Sequence, residues 1–170
     1  MSILTDLRNR VQVVNDSLQS GEIVRNVVVQ HPDDIMELQR IQLLQGKSAS
    51  GEDIRPFYSE DLKPDGYFYS VESAGRYAAW KQDLEYPYTV SRNPDAPNLY
   101  ITGKFHSEIG VEFGPDAVGI VGETPFAEGI MLKYGIETFG LMMANWLALF
   151  EEFGAYDELM QNVKQLLYVY

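Results

Sequence analysis

The stretch Thr102-Gly103-Lys104-Phe105-His106-Ser107-Glu108-Ile109-Gly110-Val111-Glu112-Phe113 restricts the fold more than any other part of the chain. Phe105, Ser107, Ile109, Val111 and Phe113 recur at period two, with His106, Glu108, Gly110 and Glu112 between them. That alternation is the pattern of a half-buried strand. Gly114-Pro115-Asp116 supplies turn chemistry and Val118-Gly119-Ile120-Val121 a second strand, so residues 105–121 are expected to form a central β-hairpin. Its register predicts Phe105, Ile109, Val111 and Phe113 buried, and His106, Glu108 and Glu112 turned toward solvent. Thr124-Pro125 then opens a helix expected to run to Lys133-Tyr134-Gly135.

Helical spacing dominates the remainder. Leu4, Leu7, Val11, Val14 and Leu18 recur every three or four residues, so residues 3–19 read as an amphipathic helix stopped at Ser20-Gly21. The stripe suits packing either on the body of the domain or on a neighbouring subunit. Residues 23–29 are a short β-branched run for which periodicity leaves strand and helix open. Pro32-Asp33-Asp34 places a first-turn proline and two acids at a helix start, Ile35, Leu38, Ile41 and Leu44 give that helix its apolar stripe, and Gly46 ends it. Ser70 is positioned to cap a helix over 71–83. A further helix is expected over 138–152, with Phe139, Met142, Met143, Trp146, Leu147 and Phe150 as core, and a last one follows Phe153-Gly154. Between these lie two irregular stretches, 46–70 and 86–99, of a length that is usually functional or mobile. The expected fold is α+β: a single domain over 1–170, several helices packed around a small antiparallel sheet, with long aromatic loops and an N-terminal helix (1–21) available for subunit packing.

The composition of the 170-residue chain removes several function classes. There is no cysteine, hence no disulfide, thiol nucleophile or thiolate metal site. Twenty-five acids against 13 bases leave a net charge of −12, which opposes wrapping by nucleic acid but permits DNA to pass nearby, because an acidic wall repels phosphates. No apolar run approaches the ~20 residues of a membrane span. The chain reads as soluble, without a membrane partner, and made in the cytoplasm.

Catalytic equipment is sparse. Gly46-Lys47-Ser48 imitates the end of a phosphate-binding loop, but Ile41 stands where that loop needs glycine, and the segment follows a helix rather than a strand. His106, Glu108 and Glu112 share a face of the expected strand, and His31 lies beside Asp33 and Asp34. From these, a small metal-dependent hydrolase using His106, Glu108 and His31 is the alternative to a protein without enzymatic activity. Neighbouring carboxylates such as Glu60 and Asp61 arise by chance among 25 acids. No catalytic, cofactor or metal residue is therefore assigned. The loops instead concentrate aromatic residues, among them Phe57, Phe68 and Tyr100. Tyr58, Tyr67, Tyr69, Tyr86 and Tyr88 are the candidate interface, since tyrosine anchors protein contacts; the competing reading is that the loops fold back and bury their rings.

The order of short motifs adds a resemblance. Thr102-Gly103-x-Phe105-x-x-x-Ile109, the strand Val118-Gly119-Ile120, Pro125-x-Ala127 and Leu132-Lys133-Tyr134-Gly135 are preceded by Gln42-Leu43-x-x-Gly46-x-x-x-x-Gly51-x-x-Ile54, Pro56 and Tyr58-Ser59. Over about residues 38–141 this resembles the tail-completion and neck proteins of tailed bacteriophages. Glu108 stands where that family has serine, and Phe126-Ala127 replaces Tyr-Ala. The resemblance implies a structural protein of the virion at the head–tail connector. It would be a subunit of a cyclic, self-associated ring that meets portal or adaptor and tail proteins and takes no cofactor.

Overall fold

A computed structural model describes residues 3–114, 117–122 and 124–168 of the chain. Among these residues the fold is α+β, with helices and one two-stranded antiparallel hairpin. The chain divides into two compact units, residues 1–34 with 146–170, and residues 35–145.

In the first unit, α1 (Ile3–Gln19), α2 (Glu22–Val28) and α8 (Ala155–Tyr168) pack on one another. The run left open between strand and helix is therefore helical, and it buries Ile23, Val27 and Val28. Gly21, at φ 75°, makes the left-handed turn between α1 and α2. Arg10 donates from Nη1 to the carbonyl of Leu167 at 3.1 Å and pairs with Asp6 at 3.0 Å, which joins α1 to the end of α8. Of the α1 stripe, Val14 is buried while Leu7, Val11 and Leu18 are exposed. The side chain of Leu4 lies outside the described residues.

The second unit is built on α3 (Pro32–Leu44), whose inner face combines Ile35, Leu38, Leu43 and Leu44 with two fully buried glutamines, Gln39 and Gln42. The glutamines answer a backbone problem. Residues 138–142 form no regular ladder, and buried carbonyls and amides need partners. Gln39 donates to the carbonyl of Thr138 at 2.8 Å and Gln42 to that of Gly140 at 2.7 Å. The Gln42 Oε1 accepts from the Met142 amide at 2.8 Å and from Asn145 Nδ2 at 3.0 Å. This arrangement replaces the first part of the helix expected over 138–152. A 3₁₀ turn occupies Ile136–Thr138, and α7 spans only Met143–Glu151. The expected core stripe is divided as well, because Met143 and Leu147 are exposed.

The hairpin pairs β1 (Ile109–Phe113) with β2 (Val118–Gly122), with Ile109 opposite Gly122 and Val111 opposite Ile120. Its turn closes through a 2.8 Å bond from the Gly114 amide to the Ala117 carbonyl. Pro115 and Asp116 lie outside the described residues. The strand starts four residues later than its alternation implied. Lys104–Ser107 is a helical turn, α5, entered through Gly103 at φ 78°. Period two and a single helical turn both bury Phe105, so the alternation continued by coincidence across the boundary. The consequence falls on His106, expected on the solvent side and found buried. Ile109 is buried, Val111 and Phe113 half-buried, Glu108 partly covered and Glu112 exposed. A Cβ on Gly122 would sit 2.8 Å from Ala127 Cβ and 3.0 Å from Phe139, so glycine there permits close docking of the strand end.

Two further helices complete this unit. Ser70 caps α4 (Val71–Gln82) in a reciprocal box with Ser73. Thr124 Oγ1 accepts from the Phe126 amide ahead of α6 (Ala127–Tyr134). The loops 46–70 and 83–99 are joined to each other: the Tyr58 amide donates to Asp95 O at 3.0 Å, the Ser59 amide to Asp95 Oδ1 at 3.0 Å, and Asn93 to Asp53 at 2.9 Å. Asp53 also pairs with Lys47 at 2.8 Å.

Candidate functional site

The five candidate tyrosines separate by environment. Tyr58 is in the core: its ring meets Phe68 edge-on at 6.0 Å and Tyr77 at 5.0 Å, over Ala74 and Ala78 of α4. Burial, its largest cause, raises the phenol pKa well above the usual 10. Tyr58 is thus a packing residue and not an interface residue. The serine-capped helix brings an alanine face against the loop, leaving room for rings to interlock. Tyr67 is exposed and touches Phe68 edge-on at 5.1 Å, and Tyr69 is 87% exposed with Lys63 Nζ 5.9 Å from its ring. Tyr86 and Tyr88 are half-buried and line a cavity of about 480 Å³.

That cavity adjoins a group of cations that residue patterns did not single out. Lys81, in the last turn of α4, is 1% exposed and donates to the carbonyl of Tyr100. Its own carbonyl, one of those left open at a helix end, accepts from the Tyr86 hydroxyl and from Arg92 Nη2 at 3.1 Å. Arg92 Nη2 also donates to Tyr86 Oη at 3.2 Å, while Arg92 Nη1 has no acceptor. No acid pairs with Lys81 or Arg92 among the described residues. Burial first, and the Arg92 charge second, hold the Lys81 pKa down at about 7. In sequence, Lys81 is the last basic residue of a helix; in the fold its amine meets the Tyr100 carbonyl, and Tyr86 and Arg92 of the returning loop close on its carbonyl.

Of the three residues weighed as metal ligands, His106 is 4% exposed, with Nε2 3.0 Å from the Asn98 carbonyl and its ring edge-on to Tyr100 at 5.3 Å. Burial lowers its pKa to about 4, with Lys81 and Arg40 adding to the depression. His31 belongs to the first unit, where Nδ1 lies 2.7 Å from Asp34 and Nε2 3.4 Å from Glu158. Glu108 caps the turn α5. No group of three or more His, Cys, Asp or Glu side chains placed to hold a metal occurs among the described residues.

Uncovered apolar surface is found in both units. No residue of α6 is fully buried: Ala127, Ile130 and Tyr134 are half-buried, and Met131 and Leu132 are exposed. Leu132 is 79% exposed, with Phe126 and Ile136 also exposed at either end. Lys133 of α6 pairs with buried Asp61 at 2.5 Å, which fixes the helix to the 46–70 loop. In the first unit Leu7, Val11 and Leu18 are exposed along one face of α1, and Val13 on another. No described helix is long and apolar enough to cross a membrane. No protein-family model, curated protein or solved structure matches this chain.

Proposed function

We propose that this chain is a non-enzymatic structural protein of a tailed-bacteriophage virion, a ring subunit at the head–tail junction that joins portal or adaptor to tail. The observation that carries the reading is the uncovered apolar surface on α6. One side of α6 is half-buried through Ala127, Ile130 and Tyr134, while Leu132 on the opposite side is 79% exposed and has no cover within the chain. Exposed apolar side chains that gather into a patch mark an interaction surface. A ring needs two different patches that match head to tail, and α1 of the other unit supplies a second one. The motif order over about residues 38–141 and the net charge of −12, which suits a wall beside passing DNA, support the same reading.

The test is assembly. Concentrated protein, alone or with the portal complex of its phage, is expected to give closed rings in negative-stain electron microscopy. Leu132→Glu is expected to abolish them while leaving the circular dichroism spectrum unchanged. A chain that stays monomeric under every such condition would refute the reading.

A further inference from the structure

We propose that the cavity beside α4 binds an oxyanion, a carboxylate or phosphate group carried on a small organic molecule. The site is independent of the assembly reading and shares no residue with α1 or α6.

A volume of about 480 Å³ is that of a small-ligand pocket. Its wall includes Tyr86, Tyr88, Thr89, Ser91, Arg92 and Pro94, and it contains no Asp or Glu. On a chain with 25 acids, a cavity whose only charged lining residue is an arginine is set apart electrostatically. The guanidinium is held in place before any ligand arrives: Nη2 is tied to the Lys81 carbonyl and the Tyr86 hydroxyl, and the group lies 5.4 Å from the Tyr86 ring. Nη1 has no acceptor. Nη1 is itself enclosed, so the attraction for a carboxylate or phosphate in the cavity is that of a fixed guanidinium charge in its wall, and a group already oriented loses little freedom on binding. The Lys81 amine donates to the Tyr100 carbonyl and pairs with no carboxylate among the described residues. An anion in the cavity would supply the missing countercharge to Arg92. Tyrosine rings and Pro94 give an apolar wall for an organic body, while Thr89 and Ser91 offer hydroxyl donors to the anionic oxygens.

Titration calorimetry of the full chain with benzoate, phenyl phosphate, inorganic phosphate and phenol tests this. Benzoate or phenyl phosphate is expected to bind saturably at one per chain, and the tighter of the two identifies the oxyanion. Inorganic phosphate, which lacks the organic body, is expected to bind more weakly. Phenol, which lacks the charge, is expected not to bind. Arg92→Gln should weaken binding about tenfold or more, the worth of one charge-assisted contact. Ser91→Trp should block the cavity without altering charge, and it decides the matter if the arginine variant fails to fold. No saturable binding of either aromatic anion, phenol binding as tight as benzoate, or affinity unchanged in a folded Ser91→Trp chain would overturn the proposal.

Discussion

The Nε2 of His106 lies 3.0 Å from the carbonyl oxygen of Asn98. A carbonyl only accepts, so Nε2 carries the proton, and the ring is neutral in the fold. The folded pKa is about 4 against the ordinary 6.5. Between those values the unfolded chain binds a proton that the folded chain does not, so stability is lost as pH falls from about 6.5 to 4. The loss should reach about 3 kcal/mol. Urea denaturation at pH 7 and pH 4 measures it, and His106→Asn should remove that part of the slope.

Lys81 sets the alkaline side. Its folded pKa of about 7, against an ordinary 10.5, means that the unfolded chain holds the proton through the window in which the folded chain has released it. Stability should therefore rise from pH 7 toward pH 10. Tyr134, raised to about 12 mainly by burial, acts in the opposite sense: above pH 10 the unfolded phenol ionises while the folded one does not. A stability maximum at roughly pH 10 is expected from these two shifts. Lys81→Met should flatten the rise, as followed by thermal unfolding across the series.

Gln42 makes three hydrogen bonds to segment 140–145 from a fully buried side chain. Replacing it by leucine leaves the Gly140 carbonyl and the Met142 amide without partners. At roughly 1–3 kcal/mol for each buried unsatisfied group, Gln42→Leu should cost about 2–5 kcal/mol. The midpoint of denaturant unfolding reads this directly.

Within the hairpin, Ile109 is buried and Glu112 exposed. Ile109→Ala is expected to cost about 2–5 kcal/mol, and Glu112→Ala to stay within about 0.5 kcal/mol. A reversed order in equilibrium unfolding would mean the strand register is wrong.

Local signals with a single physical meaning were legible in sequence. Gly21 and Gly46 end their helices at positive φ, Ser70 caps its helix, and the 118–121 run is a strand. What escaped depended on partners distant in sequence. Gln39 and Gln42 lie between the apolar positions of their helix, and nothing local marks them as core; residues 138–142 folding onto them does. His106 read as solvent-facing because one helical turn and an alternating strand bury Phe105 equally well. Tyr58 and Tyr69 carry the same side chain on the same loop; only the docking of α4 makes one core and the other surface. Lys81 gave no signal, because the loop that buries it has no periodicity.

Association through α6 is the central claim, and the mass of the assembled species tests it most directly. Sedimentation velocity over a concentration series, with and without the portal complex, should show a closed oligomer for the wild-type chain. Leu132→Glu, at a position 79% exposed, should give a folded monomer under the same conditions. A wild-type chain that remains a monomer throughout, or a Leu132→Glu chain that assembles as well as the parent, would contradict the account.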